Sequence, residues 1–189
     1  KASEGERLLM MQYSGFGGLK FVLNPAQNPV DINHWRKTEH ELFPLTQELH
    51  RLLKENTTDE KQYRSYVDSM RSSVLTAFYT PPQVIDGISA SLKESGVSIQ
   101  KLLEPSAGIG SFIQSFVNKD VAQVTAYEKD LLTGKILKQL YHDNTIRISG
   151  FEEITEKERN SYDVVASNIP FGDTSVFDLS YSRSRDTAK

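Results

Sequence analysis

The stretch that decides the fold of this chain reads Leu102-Leu103-Glu104-Pro105-Ser106-Ala107-Gly108-Ile109-Gly110-Ser111-Phe112. The leucines suit a buried parallel strand, and Pro105 ends that strand because proline has no amide proton to donate. Gly108 and Gly110 permit a positive φ and let a ligand approach the backbone closely. The pattern therefore predicts a strand, a ligand-binding turn and a helix that begins at about Ser111.

The chemistry of this turn favours a cationic ligand over a pyrophosphate. The dinucleotide-binding pattern G-x-G-x-x-G would require a glycine where this chain has Ile113. Glu104 ends the strand, and its carboxylate would repel a pyrophosphate but attract an ammonium group, such as the one at the methionine end of S-adenosyl-L-methionine. The alternative is an ordinary strand-to-helix turn in which Glu104 is solvated.

Length and composition predict one α/β domain with a helical extension. The 189 residues are 38% hydrophobic and 10% aromatic, as in globular proteins. The chain has no cysteine and its four histidines lack ligand spacing, so we expect no metal, with His40 and His50 on a helix surface. A net charge of -3 does not indicate a nucleic-acid surface. No signal peptide or membrane-spanning run is recognisable, which predicts a cytoplasmic protein with no membrane partner.

Residues 1–74 are predicted to form the extension. It contains the glycine-rich segment Tyr13-Ser14-Gly15-Phe16-Gly17-Gly18-Leu19-Lys20, which we interpret as a flexible connection rather than a phosphate-binding loop. A helix ending at about Asn56 is indicated by leucines at helical spacing, namely Leu42, Leu45, Leu49, Leu52 and Leu53. A more polar helix is predicted at about 59–74.

Residues 75–189 alternate between helix and strand patterns. A helix is predicted at 82–95, with Thr80 and Gln83 as its capping box and Val84, Ile85, Ile88 and Leu92 on its inner face. Strands are predicted at 121–127, 145–148 and 162–167, with a helix at 131–141. This alternation predicts a parallel, doubly wound sheet that binds ligands at the carboxyl ends of its strands.

Two more strand ends carry candidate ligand-binding residues. Glu128 lies twenty residues beyond Gly108, where an acid can accept hydrogen bonds from both ribose hydroxyls, although it could instead cap the following helix. After the third strand, Phe151 is placed to flank an adenine ring and Glu152 to meet its amine. Phe151 could equally belong to the core.

The fourth strand leads into Asn168-Ile169-Pro170-Phe171-Gly172. Pro170 holds the preceding residue extended, so the Ile169 carbonyl has a fixed direction. That carbonyl and the Asn168 side-chain oxygen can together accept both protons of one amino group, while Phe171 can stack on its ring.

Four blocks in this order resemble those of the DNA methyltransferases that act on the N6 amino group of adenine. They are Phe78-Tyr79-Thr80-Pro81-Pro82, the turn from Glu104 to Phe112, the acid Glu128, and Asn168-Ile169-Pro170-Phe171. With the glycine-rich segment, the chain looks most like the methylase part of large restriction-modification or helicase-methylase polypeptides. Ile169 and Gly150 depart from the family pattern, where a proline and an aspartate are usual.

The resemblance implies a Rossmann-like S-adenosylmethionine-dependent methyltransferase fold with a partial parallel sheet and an N-terminal helical extension. It implies S-adenosyl-L-methionine as the cofactor, bound by Tyr79, Thr80, Glu104, Ser106, Gly108, Gly110, Glu128, Phe151 and Glu152. The catalytic residues would be Asn168, Ile169, Pro170 and Phe171.

The implied function is methylation of adenine N6 in DNA within a bacterial restriction-modification system. DNA would be recognised by a region outside these residues, a nuclease or helicase would be fused or associated, and we expect this chain, truncated at its C-terminus, to be inactive alone. The alternatives are a methyltransferase for a protein glutamine or an RNA guanine, or a non-catalytic module that binds the cofactor or partner proteins.

Overall fold

A four-stranded parallel sheet lies at the centre of the second half of the chain. The structure is a computed structural model that describes residues 1–76, 79–116 and 123–169. The strands are β1 (Lys101–Glu104), β2 (Gln123–Tyr127), β3 (Thr145–Arg147) and β4 (Val164–Val165), in the order β3-β2-β1-β4. All three strand pairings are parallel, with Leu102 beside both Val124 and Val164. The predicted α/β class and parallel sheet are therefore confirmed.

Six α-helices accompany the sheet in the described ranges: α1 (Glu4–Met10), α2 (Phe43–Glu55), α3 (Glu60–Thr76), α4 (Pro82–Glu94), α5 (Ser111–Phe116) and α6 (Leu131–Leu140). Short 3-10 turns connect them, among them Lys20–Leu23, Lys37–Leu42 and Phe151–Glu153. Sequence reasoning missed α1, although Ser3 and Glu6 form a reciprocal capping box at its start.

The main core lies between the sheet and the helices α4, α5 and α6. Leu102 and Ala126 of the sheet are fully buried against Ile85 of α4, Ile113 of α5 and Leu137 of α6. Burial of several such side chains at about 1.5–3 kcal/mol each holds the helices on the sheet. This packing brings the beginnings of α5 and α6 to the carboxyl ends of β1 and β2.

A second apolar cluster joins the N-terminal helices to α6. Leu131 and Leu132 of α6 pack against a cluster made by Val22, Leu53, Tyr63, Tyr66, Met70 and Val74. The Ser69 hydroxyl donates to Asp130 Oδ2 at 2.6 Å and accepts from the Leu131 amide at 2.6 Å. Asp130 Oδ1 in turn accepts from the Thr133 amide at 2.7 Å, which caps α6. The extension therefore supports the first turn of α6.

The glycine-rich segment is held along α3, so its interpretation as a flexible connection is wrong. The Phe16 amide donates to Ser73 Oγ at 3.1 Å, and the Gly18 amide donates to the Val74 carbonyl at 3.0 Å. Gly18 adopts a φ of +75°, which a residue with a side chain rarely does. These contacts were not foreseeable because both acceptors lie far along the chain.

The leucines that predicted α2 do not all lie on its buried face. The helix buries Phe43, Thr46, His50 and Leu53, whereas Leu45 is 69% exposed and Leu52 is 44% exposed. The expectation that His50 lies on a helix surface is also wrong. Its two ring nitrogens bond the Tyr63 hydroxyl and the Val22 carbonyl, each at 2.8 Å, so the imidazole is buried with both polar atoms satisfied.

Three other local predictions fail, two at α4 and one at β4. Val84 and Ile88 are exposed, Pro81 rather than Thr80 is the N-cap residue of α4, and no side chain caps that helix. Strand β4 spans two residues instead of the six predicted at 162–167. Backbone hydrogen bonds to β1 continue one residue beyond β4 on each side, from the Asp163 amide to the Lys101 carbonyl and from the Ala166 amide to the Leu103 carbonyl.

We predict that Ser69→Ala will lower the free energy of unfolding by about 1–2 kcal/mol, since it leaves the Leu131 amide and Asp130 without their partner. Ser65→Ala on the same helix is the matched control, because the Ser65 hydroxyl is exposed and bonds only the Gln62 carbonyl among the described residues. Urea unfolding followed by circular dichroism measures both. Equal stability of the two variants would show that the link between α3 and α6 contributes nothing.

Candidate ligand site at the strand ends

The turn after β1 is tightly packed and adopts the conformation that glycine allows. Gly108 has a φ of +56° and Gly110 a φ of +87°. A Cβ atom on Gly110 would lie 2.3 Å from the Tyr141 ring, so no larger residue fits there. The Tyr141 hydroxyl donates to the Gly110 carbonyl at 3.0 Å. Tyr141 therefore holds the glycine turn through this hydrogen bond and through the contact of its ring. Sequence reasoning missed this role.

Glu128 links the end of β2 to this turn and to α6. Its Oε2 accepts from the Gly108 amide at 2.7 Å, and its Oε1 accepts from the Asp130 amide at 2.7 Å. Burial raises the pKa of Glu128 to about 7, although the amide donors oppose that shift. A carboxylate has about four acceptor positions, so Glu128 keeps acceptor capacity for a hydroxyl group of a ligand.

Glu104, at the end of β1, is almost completely enclosed. It is 1% exposed, and its Oε2 finds no hydrogen-bond partner among the described residues. Burial raises its pKa well above the ordinary value, and the nearby Glu128 adds to the increase, whereas a hydrogen bond from the Ile113 amide opposes it. An ammonium group would be a fitting partner for this orphaned oxygen, because it would favour ionisation of the carboxyl group.

Tyr79, Thr80 and Asn168 line one cleft of about 500 Å³, together with Pro81, Ile88, Phe112 and Ser167. Residues from the first and last predicted motifs therefore meet. The Tyr79 ring lies over the glycine turn, so that a Cβ atom on Gly108 would be 2.9 Å from it. Burial raises the pKa of the Tyr79 hydroxyl to about 12, and the nearby carboxylates of Glu128 and Asp130 add to the increase. The hydroxyl therefore stays protonated and remains a hydrogen-bond donor.

Phe151 and Glu152 lie on the 3-10 turn after β3. Phe151 is 37% exposed, which rules out the alternative that it is a core residue, and its ring and that of Tyr127 are nearly perpendicular, with their centroids 5.6 Å apart. Glu152 pairs with Lys129 at 2.8 Å. An exposed aromatic face beside the end of β2 is compatible with stacking on a planar ring.

For the remaining predicted site residues, the structure gives the exposure of some, and others lie outside the described ranges. Ser106 is half-buried in the turn, and Ile169 is 64% exposed. Pro170 and Phe171 lie outside the described residues, as does Phe78. The assigned roles of all these residues stay predictions. Sequence reasoning also missed Phe112 and Ser167 as lining residues, although both flank motifs that it identified.

Two broader features concern the described part of the chain. No group of three or more histidine or acidic side chains there is arranged to hold a metal ion. Nor does that part contain a helix with the length and apolar character needed to cross a membrane.

The chain is similar to Defense against restriction protein B of Escherichia phage P1, with 33% identity over 117 residues. The matched region is 59% of this chain but 5% of the phage protein, so the chain spans a small part of that relative. No known family description matches the chain. No solved structure matches it either.

This similarity corrects the function that the motifs implied. The sequence predicted an adenine-specific DNA methyltransferase within a restriction-modification system, whereas the relative is named for defence against restriction. The predicted family, enzyme class and function are therefore wrong. The reason is physical: a glycine turn with strand-end acids specifies where a ligand can bind, and the same arrangement serves many functions.

Proposed function

We propose that this chain is a non-catalytic binding module of an anti-restriction protein, and that its strand ends hold an adenosyl ligand such as S-adenosyl-L-methionine. The observation that carries the proposal is the position of Glu128, whose carboxylate is fixed by the Gly108 and Asp130 amides beside the glycine turn. The order β3-β2-β1-β4 supports it, because a Rossmann-like sheet places its ligand at the ends of these central strands.

The ligand would lie across the two strand ends. Glu128 would accept from the ribose hydroxyls, Glu104 would face the ammonium group, and Tyr79 with Thr80 would border the methionine part. Phe151 would stack on the adenine ring, with Glu152 near its amine. Asn168 lines the same cleft and would offer amide hydrogen bonds to the bound molecule.

The kind of partner that we propose is inferred from the name of the phage relative and not from the geometry of the strand-end site. The phage relative is named for defence against restriction, so we propose that the longer polypeptide acts on proteins of restriction-modification systems in the cytoplasm. The net charge of -3 gives no support for a dominant contact with DNA phosphates through these residues. The exposed leucines of α2 are available for protein contacts instead.

We predict that the protein binds S-adenosylhomocysteine and that Glu128→Ala weakens binding by about 1–3 kcal/mol, the range for hydrogen bonds to a charged group. Isothermal titration calorimetry measures the affinity. Glu153→Ala, an exposed carboxylate on the turn after β3, is the matched control and should bind like the wild type. Unchanged affinity of the Glu128 variant would remove this residue from the site.

We also predict opposite effects of pH on binding and on stability. Folding raises the pKa of Glu128 from 4.5 to about 7, so its contribution to stability is complete below pH 4.5 and is lost as the pH rises through 7. Ribose hydroxyls donate to the ionised carboxylate, so affinity should increase by about tenfold between about pH 6 and about pH 8. Calorimetry at several pH values tests this, and Glu128→Gln should remove the dependence. A flat wild-type profile would contradict the assigned role.

A third prediction concerns the natural full-length polypeptide. Expressed in cells that carry a restriction-modification system, it should raise the survival of incoming unmodified DNA without adding methyl groups to that DNA. Transformation efficiency and labelled methyl transfer measure the two effects. Protection accompanied by new DNA methylation would refute the non-catalytic assignment, and absence of protection would refute the anti-restriction role.

A further inference from the structure

Tyr13 belongs to the N-terminal glycine-rich segment, but its hydroxyl lies near residues of the strand ends and of the start of α6. The segment is anchored by the hydrogen bond from the Phe16 amide to Ser73 Oγ. The Tyr13 and Phe16 rings are nearly perpendicular, with their centroids 6.1 Å apart. The phenolic oxygen is buried and has no hydrogen-bond partner among the described residues. Thr133 lies close to it, but not in the geometry of a hydrogen bond.

Two groups of the proposed ligand site lie near this hydroxyl, the carboxylate of Glu128 and the hydroxyl of Tyr79. The carboxylate of Asp130, the N-cap residue of α6, is also nearby. Burial, and after it Asp130, raises the pKa of Tyr13, so the hydroxyl keeps its proton near neutral pH. A protonated phenol beside these carboxylates is a hydrogen-bond donor without an acceptor.

An unsatisfied buried hydroxyl is costly, and such groups in folded proteins often mark a place where something else binds. Glu104, at the end of β1, also has a buried oxygen without a hydrogen-bond partner among the described residues, and the residue is 1% exposed. A ligand whose oxygen atoms accept from Tyr13 and whose hydroxyls donate to Glu128 would satisfy both kinds of group.

We propose that Tyr13 is a ligand-binding residue of the strand-end site, where its buried hydroxyl donates a hydrogen bond to the ribose of an adenosyl ligand held by Glu128. The inference deepens the proposed function and rests on it. The N-terminal segment therefore supplies one wall of the pocket, and the ligand contacts both the extension and the sheet.

The test separates a ligand contact from a structural role by measuring affinity and stability together. Tyr13→Phe removes only the hydroxyl, and we expect it to weaken S-adenosylhomocysteine binding by about 3–10-fold. The ligand-free variant should unfold at the same urea concentration as the wild type or at a higher one, because an unsatisfied buried group has been removed. Tyr63→Phe is the matched control in the same extension. Its hydroxyl bonds His50 and Gln27, so its loss should lower the urea midpoint and leave affinity unchanged.

The possible outcomes are distinguishable. A wild-type protein that does not bind S-adenosylhomocysteine would overturn the proposed function and this inference with it. Binding by the wild type and equal binding by Tyr13→Phe would overturn the Tyr13 contact alone. A Tyr13→Phe protein that is destabilised like Tyr63→Phe would show that the hydroxyl is structural, which also overturns the inference.

Discussion

The carboxylate of Glu128 is the interaction on which the candidate site depends. It ends β2 and binds one amide of the glycine turn and one amide at the start of α6, so three separate segments converge on one side chain. Two charge-assisted hydrogen bonds offset part of the cost of burying the group. The offset is incomplete, which is why burial still dominates the pKa of Glu128. This contact ties the Gly108 and Asp130 amides to the end of β2.

Elements with local signals were predictable from the sequence. The turn after β1 was found because Pro105 stops the strand and the glycines permit its geometry. Helix α6 was found from apolar residues at helical spacing, namely Leu132, Ile136, Leu137 and Leu140. The acids Glu104 and Glu128 were found because they follow predicted strands. The carboxyl ends of neighbouring parallel strands meet at one edge of a sheet.

Features that depend on distant partners were not predictable. Helical periodicity shows that α2 is amphipathic, but which face is buried was decided by the Val22 carbonyl and the Tyr63 hydroxyl, which satisfy His50. The Asp163 carboxylate joins β4 to the start of β1 by accepting from the Gln100 and Lys101 amides, which lie more than sixty residues earlier. The location of Tyr13 depends on how the glycine-rich segment lies along α3. None of these partners can be identified by spacing along the chain.

The bond between Ser69 and Asp130 has a consequence for how the protein loses its structure. Together with Leu131 and Leu132, which pack into the cluster of the N-terminal helices, it makes α6 a shared wall of both apolar cores. Local opening of α3 would therefore loosen the first turn of α6 and the Glu128 contact beside it. The start of α6 is thus the route by which a fluctuation in the N-terminal helices would reach the strand ends.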